Sequence, residues 1–300
     1  MATKQRSRAR RPHGSRDRVA PYVAPVLDPN WQNPYAPSLA ERHDHLRAVR
    51  RFAIRRNLPL TIAVSVIVLA LVVGVVAVPW LPAVAVVVAA LYAWSLHRTV
   101  STYHERGQSM GAAMLVELEP GGHATDRVRL VTVLDRLAAT FGVDNVSAFI
   151  VRDQAYNAAL VPDGTKYSMF VTSAMMTDFD LIELEGVVAH CLARQRLGLL
   201  DRQSLASSLK IGDVLRGSLA GEGQAYRADE VAAASIRYPL GLAGALRKCA
   251  RQELATTSFF VSPAYDQWRW VFFDQHSDRA TSELGDLDDV ELRARALEEW

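Results

Sequence analysis

Cysteine is nearly absent: Cys191 and Cys249 are the only two in 300 residues. An isolated pair in a chain this long gives no disulfide framework, and reduced thiols in a cytosol-facing domain are the expectation. Lysine is also scarce, with 4 residues against 30 arginines. That bias reads as a coding preference and carries no chemistry. A cleavable signal peptide is not expected, because the first apolar run begins 57 residues in and is longer than a signal core. No aromatic or helical pattern accompanies the arginines of the first forty residues. A nucleic-acid surface is therefore not expected there.

What is present is an uneven charge and two long apolar runs. Net charge is +2, yet the first 57 residues hold 13 Lys or Arg against 4 acids, about +9, which leaves about −7 for the other 243. Residues 1–57 read as a basic, largely disordered cytoplasmic arm, Pro-rich toward residue 38, with a short pre-membrane helix over 39–57. Residues 58–78 carry no charge over about 21 positions, the length that crosses a hydrocarbon core of roughly 30 Å. After Pro79, Trp80, Leu81 and Pro82, a second apolar segment runs to residue 97. It gives a two-span transmembrane hairpin over 58–97, with a partial re-entrant segment as the alternative. Arg47, Arg50, Arg51, Arg55 and Arg56 precede the first span, and Arg98 and Arg106 follow the second. The positive-inside rule then places both termini and the soluble domain in the cytoplasm, with the lipid bilayer as a partner.

Residues 98–124 read as a connector ending at the Gly121-Gly122 pair, and 125–300 as the folded cytoplasmic domain. An amphipathic helix is expected over 126–141, ended by Gly142. Strands are expected at 146–151, 158–161 and 167–173, with Pro162-Asp163-Gly164 as a hairpin turn. Asp178 reads as the N-cap of the next helix, whose buried stripe is Leu181, Leu184, Val187, Val188 and Cys191. Further helices are expected over 225–236 and 239–251, and a terminal one over 286–300; the aromatic-dense stretch 258–278 has no clear period.

Residues 183–201, ELEGVVAHCLARQRLGLLD, are the stretch the rest frames. Four landmarks occur in order: the amino-terminal hairpin; Asn157-Ala158-Ala159 before a strand ending in VTSAMM; the lead-in from Glu183 to His190; and Tyr226-Arg227-Ala228-Asp229. Together they resemble the HtpX-like and CAAX-prenyl-protease-like family of membrane zinc metallopeptidases. The resemblance implies an α+β fold: a membrane helical hairpin, then a mainly helical zincin-like domain with a small antiparallel sheet. In such a family His-Glu-x-x-His puts two zinc-binding histidines one helical turn apart, with the Glu moving the proton of a zinc-bound water. Here His190 matches the first ligand, Cys191 replaces the Glu and Arg194 replaces the second His. Ala225 stands where the third ligand is expected, and Asp229 where an acid would orient the first His.

The resemblance thus implies a degenerate site in a pseudoenzyme, with no cofactor expected. Arg194 is expected to pair with Asp229 or a nearby acid in a metal-free cavity. Zinc held by His190, Cys191 and Asp229 is an alternative, opposed by the angle of about 100° between adjacent helical positions. Glu222 as a substitute ligand, Cys191 as a nucleophile and His190 as a core histidine bonded to Asp229 are further readings. Peptidase clefts hold extended chains against a sheet edge, and Tyr167, Ser168, Met169, Phe170, Val171, Thr172 and Ser173 are expected to supply it. The expected function is a membrane-anchored, catalytically inactive binding or regulatory module whose partner is an extended polypeptide or another membrane protein. An active zinc metalloendopeptidase with a rearranged site and a structural subunit of a membrane complex are the alternatives.

Overall fold

Long apolar runs with no helix breaker fix the first two elements of the computed structural model. The structure describes residues 47, 50–52, 54–73, 80–210, 213–221, 223–236, 238–275 and 290–299. The expected disordered arm of the first forty residues, Glu222 and residues 276–289 lie outside them. Helix α1 (Leu58–Val73) carries no charge along its 16 residues. Helix α2 (Leu81–Gln108) starts with a proline in its first turn, where the missing N–H costs no hydrogen bond. The two pack together, and the Thr61 and Tyr92 hydroxyls are hydrogen-bonded across them. Among the described residues one helix, Ala83–Gln108, is by itself long and apolar enough to cross a membrane. Arg50–Arg56 and Leu58–Val72 pass the same measure only when joined across a 64° bend.

The connector expected over 98–124 is largely helical instead. Nothing from His97 to Arg106 interrupts backbone hydrogen bonding, so α2 runs on to Gln108, and α3 (Met110–Glu117) follows directly. Helix α4 (Ala124–Phe141) ends where Gly142 adopts φ 64°, its N–H reaching the carbonyls of Ala138 and Ala139.

Three strands follow: β1 (Val146–Val151), β2 (Ala158–Asp163) and β3 (Lys166–Thr172). The sheet order is β1-β3-β2. Strand β3 pairs antiparallel with β2 and parallel with β1, so the sheet is mixed rather than antiparallel. The reason lies in residues 152–157, which cross over and leave room for β3 beside β1. Asp153 holds that crossing: its carboxylate accepts from Ala155 N and Ser258 Oγ, both at 2.8 Å, and from Phe259 N at 2.9 Å. The hairpin turn sits one step later than expected, with Pro162 and Asp163 inside β2 and Gly164 turning at φ 64°.

A second correction bears on function. Tyr167, Ser168, Met169, Phe170, Val171 and Thr172 form the central strand, hydrogen-bonded on both sides, so they offer no edge to an added peptide. Ser173 belongs to the next helix, α5 (Ser173–Asp178). The outer strands are partly covered too: Phe272 bridges to Ala159 on β2, and Pro120 to Val151 on β1.

Side chains alternate across the sheet with period two, and both faces are buried. Ala148, Ile150, Leu160, Met169 and Val171 join a core with α4 and α6 (Leu181–Arg196). Phe170, Ala159 and Val161 join a second core with Phe260, Tyr265 and Phe272 from the aromatic-dense segment. Helices α9 (Gln224–Ser235) and α10 (Pro239–Arg251) pack on α6, and α12 (Val290–Glu298) packs on α10; α8 (Asp213–Ala220) and α11 (Pro263–Trp268) pack on α7 (Leu200–Ser208). The architecture is α+β and mostly helical, with one small sheet.

Candidate functional site

Helix α6 is capped by Asp180, two residues past the expected position. Its carboxylate accepts from Glu183 N at 2.8 Å while Glu183 Oε2 accepts from Asp180 N at 2.9 Å, a reciprocal box. Asp178 instead accepts from the Tyr156 hydroxyl. Lys248 of α10 closes on Glu183 at 2.6 Å. Halfway along, Gly186 lets α10 approach: a Cβ there would lie 2.7 Å from Leu242 Cα. From Gly186 to Arg194 every residue of α6 is buried, which sets the candidate site inside the domain.

His190 is 1 % exposed and its Nδ1 lies 2.6 Å from Asp229 Oδ1. Asp229 comes from α9, where Ala225 is one turn earlier on the same face and also buried. Ala225 brings a methyl group and no ligand atom. The charge partner of Asp229 is Arg293 of α12, which donates through Nε to Oδ2 at 2.7 Å and Nη2 to Oδ1 at 3.0 Å. Phe273 closes the cluster, edge-on to His190 at 5.1 Å and beneath the Arg293 guanidinium at 5.5 Å.

The electrostatics fix the proton positions. Burial drives the His190 pKa down to about 4, outweighing the pull of Asp229, and both Arg293 and Arg194 act in the same direction as burial. Burial alone would raise Asp229, but Arg293 and then His190 hold it at about 2. A neutral imidazole therefore donates its Nδ1–H to a carboxylate already fixed by a guanidinium. The sequence expectation of a His190–Asp229 contact is met, while the expected Arg194–Asp229 pair is not formed.

Arg194 is buried beside this cluster with a different set of partners. Nη1 donates to Val271 O at 2.7 Å and Phe272 O at 3.2 Å, Nη2 to Trp270 O at 2.7 Å, and both Nε and Nη2 to Gln203 Oε1. The 3₁₀ turn at residues 269–271 turns its carbonyls toward one point, and a planar fork of five donors suits such a point. Arg194 thus fastens the aromatic segment to α6. Asn157, the first residue of the landmark before β2, fastens the same segment from the other side: Nδ2 donates to Asp274 O at 2.8 Å and Oδ1 accepts from Asp274 N at 3.0 Å.

Cys191 is fully buried and burial pushes its thiol up to about 12, the opposite of an activated nucleophile. A zinc ion does not fit this donor set. The Nδ1 contact of His190 to Asp229 would by itself suit a zinc-binding histidine, but both oxygens of Asp229 are held by Arg293 and His190, and two guanidinium groups oppose a further cation. Among the described residues no three His, Cys, Asp or Glu side chains converge.

Sequence reasoning did not single out Arg293, Phe273 or Gln203. Arg293 had a signal: Val290, Arg293, Ala294 and Leu297 recur at helical spacing and are all buried. Neither models of known protein families nor the curated proteins contain a match to this chain.

Proposed function

We propose that this chain is a membrane-anchored, catalytically silent metallopeptidase-like protein that serves as a binding or regulatory module at the cytoplasmic membrane face. One observation carries the reading: the centre that would need metal ligands and a base holds a closed Arg293–Asp229–His190 chain with Arg194 alongside. Groups that would bind zinc or activate water are engaged in a buried ionic network, which suits a scaffold role. The apolar hairpin and the arginines flanking it support anchoring with the domain on the cytoplasmic side. The partner is another membrane protein, met at the domain surface, since β3 has no free edge.

Metal analysis of the purified full chain, together with cleavage of an unstructured casein substrate, tests the reading. The expected result is no stoichiometric zinc and no cleavage. Zinc at one per chain, lost together with cleavage in His190→Ala, would establish an active zinc endopeptidase with a rearranged site instead.

A further inference from the structure

We infer that the short helix Arg50–Arg56, just before α1, lies along the membrane surface and binds the phosphates of anionic phospholipids through Arg50, Arg51 and Arg55. The inference rests on the membrane-anchored reading above and adds the ligand class. Between Arg47 and Arg106 the chain carries seven arginines and one acid, Glu105. Arg50, Arg51, Arg55 and Arg56 are all exposed, and among the described residues none of these four side chains makes an ion pair or a hydrogen bond.

The bend before α1 turns this charge toward the bilayer. The helix meets α1 at 64°, with Asn57 at the corner: its N–H donates to Ile54 O at 3.1 Å and its carbonyl accepts from Thr61 N at 2.8 Å. With α1 upright, the helix lies closer to the membrane plane than to its normal. Phe52 packs on Tyr103 with ring centroids 6.4 Å apart. Tyr103 is nine residues past Trp94 on α2, on the side away from the bilayer. Ile54 stands about 200° around the helix from Phe52 and is exposed. Arg50 and Arg51 flank Ile54 within about 60° on either side, and Arg55 is one turn from Arg51. One face thus meets the domain, while the other presents an apolar residue between arginines.

Depth agrees with this arrangement. The Thr61 and Tyr92 hydroxyls touch across the hairpin, which sets the two helices level. At 1.5 Å per residue Arg56 stands roughly 7.5 Å outward from Thr61, between Trp94 and Arg98, which stand roughly 3 and 9 Å outward from Tyr92. Arg98 covers the Trp94 ring at 5.5 Å, an aromatic and a cation paired as at a membrane interface. Because of the bend, Arg50 rises only roughly 4 Å further, and a long arginine stem reaches back into a headgroup layer of about 5–7 Å. A guanidinium fork matches phosphate oxygens, and no acid stands in the helix to receive the cation of a zwitterionic headgroup.

The test is native mass spectrometry of the full chain released from nanodiscs containing phosphatidylcholine and phosphatidylglycerol in equal parts. Phosphatidylglycerol is expected to be retained in preference. The double variant Arg51→Gln/Arg55→Gln should lower that retention roughly twentyfold, about fivefold for each arginine near an anionic leaflet. Five of the seven arginines remain to hold the topology, and both positions are exposed, so the fold is preserved. Arg106→Gln removes the same charge roughly 18 Å beyond Trp94 and should change nothing. Equal retention of the two lipids, unchanged retention in the double variant, or an equal loss in Arg106→Gln overturns the inference while leaving membrane anchoring intact. A chain that fails to enter nanodiscs overturns both.

Discussion

Arg293 grips Asp229 with two nitrogens, at 2.7 and 3.0 Å, from a helix 64 positions further along the chain. Both side chains are nearly inaccessible, at 1 % and 4 % exposure. The pair is thus screened little by solvent, and each half depends on the other.

Removing one partner should therefore be worse than removing both. Arg293→Met leaves a buried carboxylate beside a neutral histidine and is expected to cost about 3–5 kcal/mol. Pairing it with Asp229→Asn removes the stranded charge and should recover part of that loss. Denaturant unfolding of the two variants and the parent checks the order; equal losses would mean the pair contributes nothing specific.

Acid should destabilise the domain through His190. Its pKa is about 4 in the folded state against 6.5 for the ordinary side chain, so the unfolded chain takes up the proton first. Stability is then full above pH 6.5 and falls as pH drops toward 4, by about 3 kcal/mol in total from this group. Asp229, held at about 2, extends the decline below its ordinary 3.8. His190→Gln should flatten the upper window. Melting temperatures measured from pH 7.5 to 4.5 would show it, and parallel curves for parent and variant would refute the assignment.

The two thiols should be silent in the native protein. Both cysteines are fully buried, with Cys191 raised to about 12 and Cys249 raised well above its ordinary value, in each case by burial first. Iodoacetamide at pH 8 is expected to label neither until denaturant is added. Rapid native labelling of Cys191 would revive it as a reactive group.

Gly186 should tolerate no side chain. A Cβ would stand 2.7 Å from Leu242 Cα and 2.8 Å from Leu242 N, both backbone atoms. Gly186→Ala must push α6 and α10 apart and is expected to cost about 1–3 kcal/mol despite alanine's better helix propensity. A neutral or raised melting temperature would show that the interface has slack.

The residues that the sequence made legible are those whose signal is local. Leu184, Val187, Val188 and Cys191 marked α6, although Leu181, expected in the same buried stripe, lies exposed in its first turn; the turn residue Gly142 marked the end of α4. The strands were visible through their β-branched and aromatic residues, but β3 was misjudged as an edge. Which neighbours a strand acquires depends on how residues 152–157 cross, and that is set by Asp153 bonds to residues about 105 positions away. The partners of Arg194 were hidden for a related reason, as backbone carbonyls leave no mark in a sequence. The extent of α2 is not legible because the composition changes from apolar to polar at His97, while the backbone has no reason to stop there.

The spacing of the buried cluster also sets a timetable for synthesis. Asp229 leaves the ribosome 64 residues ahead of Arg293, a delay of roughly 3–13 s at about 5–20 residues per second. During that interval the acid and His190 have no guanidinium from α12, and the core around them lacks Val290, Ala294 and Leu297. The domain accordingly closes from its far end, with α12 supplying at one moment both the last apolar wall and the charge that makes the interior electrically tolerable.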